Sequence, residues 1–150
     1  MSRTCNGPRR PVLSLVGVAA LSACVAAPPP PVNPFLGTWA TPDDTTITIR
    51  PDTVVQHQAD GASVVLGNDT CNSRFSFTYT SASHQALTAL LPRQPNLDKD
   101  LSAMLPGSTY RVAQLRCDRG DHTYVLVNDH ELVAIYRDGD IGAVERLVRR

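Results

Sequence analysis

From Phe35 onward the chain keeps returning to one local pattern, a short run of alternating apolar and polar residues closed by a turn signal. Alternation with period two places one set of side chains on each face of an extended strand. Residues 45–49, Thr-Thr-Ile-Thr-Ile, alternate in this way and are stopped by Pro51-Asp52. Runs at 53–58 and 63–66 follow, parted by Asp60-Gly61. The clearest case is 74–80, where Phe75, Phe77 and Tyr79 share one face while Ser76, Thr78 and Thr80 share the other. Residues 85–91 are expected to form another strand, and 109–117, 122–127, 131–137 and 140–148 predict a C-terminal β-meander.

Within that meander Asp138-Gly139 is a type I′ hairpin signal. With those two residues as the loop, Arg137 faces Asp140, Ile135 faces Gly142, Val133 faces Val144 and Glu131 faces Arg146. One helix interrupts the strands. Asn96 is its expected N-cap, Asp98 and Asp100 lie near the positive end of its dipole, and Pro106-Gly107 stops it. Leu97, Leu101, Met104 and Leu105 fall on one stripe of that helix. The fold class predicted is mainly β: a small antiparallel barrel or strongly curved sheet with one short helix.

The first residues read as a targeting segment. Arg3, Arg9 and Arg10 make a basic start, and residues 11–23 are uncharged and mainly apolar. That run is shorter than the roughly 20 residues a membrane-spanning helix needs. It ends in Leu21-Ser22-Ala23-Cys24, which resembles the lipobox of bacterial lipoproteins. The resemblance implies cleavage after Ala23 and a diacylglyceryl thioether on Cys24, with acylation of the new amine. An ordinary secretory signal cut near Ala23 or Ala27 is the alternative. Pro28 to Pro31 and Pro34 favour extended polyproline II, a tether between membrane and domain. The expected organisation is therefore a signal peptide at 1–23, a lipidated cysteine and tether at 24–34, and one domain at 35–150. Val25 stands where an aspartate commonly signals inner-membrane retention. The resemblance thus implies an envelope protein anchored by lipid to the outer membrane, its domain in the periplasm or at the cell surface.

Basic and acidic residues number fourteen each. Loss of the three leader arginines leaves a formal charge of −3 (11 − 14), and no basic patch interleaved with aromatics invites nucleic acid. With Cys5 removed and Cys24 lipidated, Cys71 and Cys117 remain as one pair in an oxidising compartment, where a disulfide is expected. A Cys/His metal site is the rival reading, but neither a C-x-x-C pair nor an H-E-x-x-H spacing accompanies these cysteines.

At the start of the domain Phe35-Leu36-Gly37-Thr38-Trp39 looks like the G-x-W opening of lipocalin-like barrels. It also looks like the opening strand of the bacterial metalloprotease-inhibitor lipoproteins. The resemblance implies that Trp39 closes one end of a barrel beneath a basic residue of a late strand, for which Arg146 is the best-placed candidate. The later Thr-Asp-Tyr signature of lipocalins is absent from this sequence.

No catalytic centre is legible. His57, His84, His122 and His130 fall near strand ends and turns, and Asp121-His122 or Asp129-His130 joined with Ser63 or Ser108 makes a triad only on paper. There is no G-x-S-x-G elbow and no glycine-rich phosphate loop, and Glu131 and Glu145 fit hairpin positions. Neither an enzyme nor a cofactor is expected. The preferred expectation is a protein-binding envelope module, enzyme inhibition being one form of it. Its contact loops are 67–73 and 91–96, with Asn68, Asp69, Asn72, Arg93 and Asn96 as binding residues. A disulfide at Cys71 would stiffen the first loop and reduce the entropy lost on binding. The alternatives are a small-ligand carrier with an open apolar interior and, third, a hydrolase.

Overall fold

A computed structural model describes residues 33–67, 70–71, 75–94, 96–117 and 120–150. The leader, Cys24 and the proline-rich tether up to residue 32 lie outside the described residues.

Among the described residues nine strands form one antiparallel sheet: β1 (Gly37–Ala40), β2 (Thr46–Ile49), β3 (Val54–His57), β4 (Ser63–Leu66), β5 (Thr78–Ser83), β6 (Thr109–Cys117), β7 (Gly120–Asn128), β8 (Glu131–Asp138) and β9 (Ile141–Arg149). Their order is β4-β3-β2-β1-β9-β8-β7-β6-β5. The sheet is thus two meanders, β1–β4 and β5–β9, joined where β1 meets β9. It curls into a half-barrel with β4 and β5 at its edges, which is the curved-sheet form of the expectation. The seam is narrow: only Trp39↔Arg149 and Ala40↔Val148 are in register.

The described residues hold two helices rather than one, α1 (His84–Thr88) and α2 (Leu97–Met104). Residues 85–91, expected as a strand, hold most of α1. Ser83 supplies its N-cap, its Oγ accepting from the Ala86 amide at 3.1 Å. Gln, Ala and Leu all favour the helix once that cap is in place. Asn96 does occupy the N-cap position of α2, with φ +77° and no capping bond from its side chain. The expected strand at 74–80 starts later, at Thr78. Even so, Phe75, Phe77 and Tyr79 keep their shared face as a ladder of rings with centroids 5.3 and 5.9 Å apart.

Both faces of the sheet are covered. On the concave face Phe35, Trp39, Ile47, Ile49, Ala113, Leu115, Tyr124, Leu132 and Leu147 make one core. On the convex face Val112, Val125, Val133 and Ile135 pack beneath Leu87 of α1 and Leu101 of α2, with Leu105 just beyond it. Adjacent residues in β6, β7 and β8 therefore feed opposite cores, as the strand period requires. The Cys71–Cys117 disulfide ties the segment after β4 to the end of β6 across 46 residues, a loop whose closure is worth about 4 kcal/mol in the chain-entropy model.

The β8–β9 hairpin forms, with its loop one residue later than expected. Asp138 pairs with Ile141, so Gly139 and Asp140 make the turn, and Arg137 faces Gly142, Ile135 faces Val144 and Val133 faces Arg146. Gly139 alone of the two loop residues has a positive φ (+58°), as in a type II′ turn. Each partner moves by two positions, so the faces are preserved. Glu131 and Arg146 become diagonal neighbours and still form an ion pair at 2.9 Å.

The basic partner of Trp39 is Arg149, not Arg146. Arg146 belongs to the opposite face of β9, whereas Arg149 lies directly across from Trp39 and places its guanidinium carbon 4.1 Å from the indole centre. The same guanidinium donates to the carbonyls of Pro34 (2.5 Å), Leu36 (3.0 Å) and Asp129 (2.8 Å). Trp39 is fully buried and its Nε1 donates to the Phe35 carbonyl at 3.0 Å. Gly37 leaves room for this arrangement: a Cβ there would stand 2.7 Å from the Arg149 Nη1, and its φ of +133° disfavours any other residue.

Candidate functional site

The concave face is not filled throughout. Between the two meanders lies a cavity of about 320 Å³, within the range of small-molecule sites. One wall is aliphatic: Ile47 from β2, Val54 from β3, and Val64 and Leu66 from β4. The other comes from β7, β8 and β9 through His122, Tyr124, Ala134, Tyr136 and Ala143. The space exists because small residues stand beside large ones. Ala134 is in register with Tyr124, and Ala143 with Tyr136, so each aromatic ring faces a methyl group rather than another bulky side chain.

Polar groups enter this apolar space at a few points. Tyr124 is 2 % exposed and burial pushes its hydroxyl pKa up. His122 stacks on Tyr136 with ring centroids 5.0 Å apart. Burial pulls the His122 imidazole below its usual value of 6.5, and the neighbouring Asp121 charge opposes that pull only in part. Burial also raises the Tyr136 phenol, with the Asp138 carboxylate adding to the effect. At the mouth stand Gln56 and Glu145. These two also line a second, more open recess with Asp43, Thr45, Gln58 and Asp60. Asp43 is stabilised as an anion by the Thr41 hydroxyl and the Thr45 amide, while Glu145 is raised by desolvation and then by the Asp43 charge.

Of the residues expected to bind a partner, Arg93 and Asn96 are not among those that line this cavity. Arg93 and Asn96 are exposed on the connection between α1 and α2, where the Asn96 carbonyl accepts from the Asp100 amide. Asn68, Asp69 and Asn72 lie outside the described residues, between segments held by Thr70 Oγ1 on the Gly67 amide and by the Cys71 disulfide. Among the described residues, two serine–histidine contacts form, and neither includes an aspartate. His57 Nδ1 meets Ser63 Oγ at 2.8 Å across the β3–β4 hairpin, and His84 Nε2 meets Ser102 Oγ at 3.2 Å. Among the described residues no three His, Cys, Asp or Glu side chains are grouped as metal ligands would be. No described helix is long and apolar enough to cross a membrane.

Of the cavity residues, sequence reasoning places His122 near a strand end and Glu145 at a hairpin position. It missed Gln56, Tyr124 and Tyr136 as site residues. The available signal was the parity of 122, 124, 134, 136, 143 and 145, which puts all six on one face of the meander with alanines among them. Compared with models of known families, with curated proteins and with solved structures, the chain matches none.

Proposed function

We propose that this protein is a lipid-anchored envelope module whose half-barrel binds a small, mainly apolar molecule in its concave face. The observation that carries the binding reading is the 320 Å³ cavity with an aliphatic wall and few polar groups, the composition of a ligand site rather than of a hydrolytic centre. The ordered succession of basic start, apolar core and Leu21-Ser22-Ala23-Cys24 supports the anchor. A curled sheet opened by Gly37-x-Trp39 beneath an arginine fits a lipocalin-like carrier. The test is titration of the oxidised domain with an apolar naphthylamine dye. Saturable binding that disappears in Ala143→Phe, which fills the cavity, supports the reading; no saturable binding refutes it. Mass measurement of protein extracted from its membrane tests the anchor, since Cys24→Ser must abolish any acyl mass shift.

A protein-binding role is favoured by a different observation. Val64 and Val65 are 44 % and 50 % exposed on β4, an edge strand, and such an edge accepts an added strand. Capture of an envelope protein that is lost with Val65→Lys would place this role first.

A further inference from the structure

Two features of the cavity are not explained by apolar ligand binding alone. The first is the hydroxyl of Tyr124. Among the described residues every fully enclosed side-chain nitrogen or oxygen has a hydrogen-bond partner. Tyr124 lines the cavity at 2 % exposure, its ring packs in the concave core with the Phe77 ring 6.2 Å away between centroids, and no described residue hydrogen-bonds its hydroxyl. The hydroxyl is therefore not fully enclosed, and it belongs to a residue that lines the cavity. A hydroxyl at that depth loses a hydrogen bond unless a ligand atom or a water supplies it.

The second feature is the sign of the mouth. Glu145 and Gln56 belong both to the cavity and to the outer recess, which adds Asp43 and Asp60. No lysine or arginine is among the described residues lining either space. Arg149, the cation of β9 on the concave face, is committed to Trp39 and three backbone carbonyls. An anionic head group at this mouth would meet carboxylates on β9 and on the β1–β2 turn, with no compensating cation among the described residues that line it. A cationic head would neutralise them.

We propose that the ligand is a small cationic amphiphile. Its ammonium group sits between Glu145 and Asp43, its aliphatic body fills the space between β2–β4 and β7–β9, and a polar atom at its inner end hydrogen-bonds Tyr124. The inference rests on reading the cavity as a ligand site and adds the chemistry of its occupant. The cavity volume equals that of about ten waters in the liquid, so a body of modest length suffices.

Calorimetric titration of the oxidised domain with octanol, octylamine, octanoate and 8-amino-1-octanol tests it. Octylamine should bind about tenfold more tightly than octanol, a difference near 1.4 kcal/mol, and octanoate most weakly. The amine's advantage should shrink at high salt because the mouth is open to solvent. Glu145→Gln should reduce it to about threefold, and Glu145→Lys should invert the order of amine and carboxylate. Tyr124→Phe should weaken 8-amino-1-octanol by about fivefold, the worth of one neutral hydrogen bond, and move octylamine less than twofold. Octanol binding with no preference for the amine, or tighter binding of octanoate, overturns the cationic assignment and leaves the ligand site standing. Failure of all four probes to bind refutes the ligand site itself. Circular dichroism of each variant separates lost binding from lost folding.

Discussion

Arg149→Ala is the substitution from which most is learned about how this half-barrel holds together. The guanidinium donates to three backbone carbonyls, two of them partly buried, and covers the indole of Trp39 at 4.1 Å. Hydrogen bonds to a charged group are worth about 1.5–3 kcal/mol each, and a partly desolvated cation–π contact adds about 1 kcal/mol. The contacts share one side chain and are not additive, and water replaces some of the lost donors, so a net loss of about 3 kcal/mol is expected. For a urea m-value of about 1.5 kcal/mol/M the midpoint falls by about 2 M. Arg149→Lys should recover less than half of this, because an ammonium cannot reach three divergent carbonyls or stack as a plane. Arg146→Ala is the internal control: its ion pair with Glu131 is partly exposed, and the loss should stay below about 1 kcal/mol. Equilibrium urea unfolding followed by Trp39 fluorescence reads all three. Equal, small shifts for Arg149→Ala and Arg146→Ala would refute the argument that the Arg149 clamp closes the seam.

Removing the disulfide by Cys71→Ser with Cys117→Ser should cost about 4 kcal/mol in unfolding experiments, or up to that amount where the unfolded chain stays compact. The same loss should follow reductant added to the unmodified domain. His122 binds a proton less readily folded than unfolded, so its contribution is complete above its ordinary pKa of 6.5 and is lost as pH falls from there towards the lower folded value. Denaturation midpoints at pH 7.5 and 5.5 should differ, and His122→Asn should reduce the difference; an unchanged difference rules out this histidine as its source. At Gly142 a Cβ would stand 2.6 Å from Pro92 Cγ and 3.0 Å from the Tyr136 carbonyl. Gly142→Val should therefore cost about 1–3 kcal/mol by pushing the α1–α2 connection off β9, detected as faster amide exchange in that connection.

The strands were readable where alternation and turn residues agreed. Residues 109–117 and 63–66 match β6 and β4, because each run is bounded on both sides by turn residues or a change of pattern. Residues 85–91 were misread because Gln-Ala-Leu-Thr-Ala-Leu-Leu has no period that separates a strand from a buried helical turn. The deciding feature was the hydroxyl of Ser83, one residue upstream of α1. In the β8–β9 hairpin the glycine was correctly a turn residue, but whether it comes first or second in the loop depends on which turn fits the strand twist. That choice moved Arg137 away from Asp140 and preserved the ion pair of Glu131 with Arg146 as a diagonal. Trp39 was found from Gly37-x-Trp39, yet its partner had to be on the same face of β9 and at the seam. Only the pairing of β1 with β9, more than a hundred residues apart in sequence, decides that. The cavity was the least legible feature, since its lining comes from six strands and its volume depends on how far two meanders curl towards each other.

The Arg149 clamp also has a mechanical side. Residues before Pro34 are the ones through which an anchor would pull on the domain. The first carbonyls such a pull meets, those of Pro34 and Leu36, are held by the guanidinium of the strand that borders β1. Tension would reach β9 through these bonds in parallel with the β1–β9 ladder, so the two-pair seam does not carry it alone. A single-molecule pull from residue 33 should accordingly show a higher unfolding force than one applied to the edge strand β4, and Arg149→Ala should erase that difference.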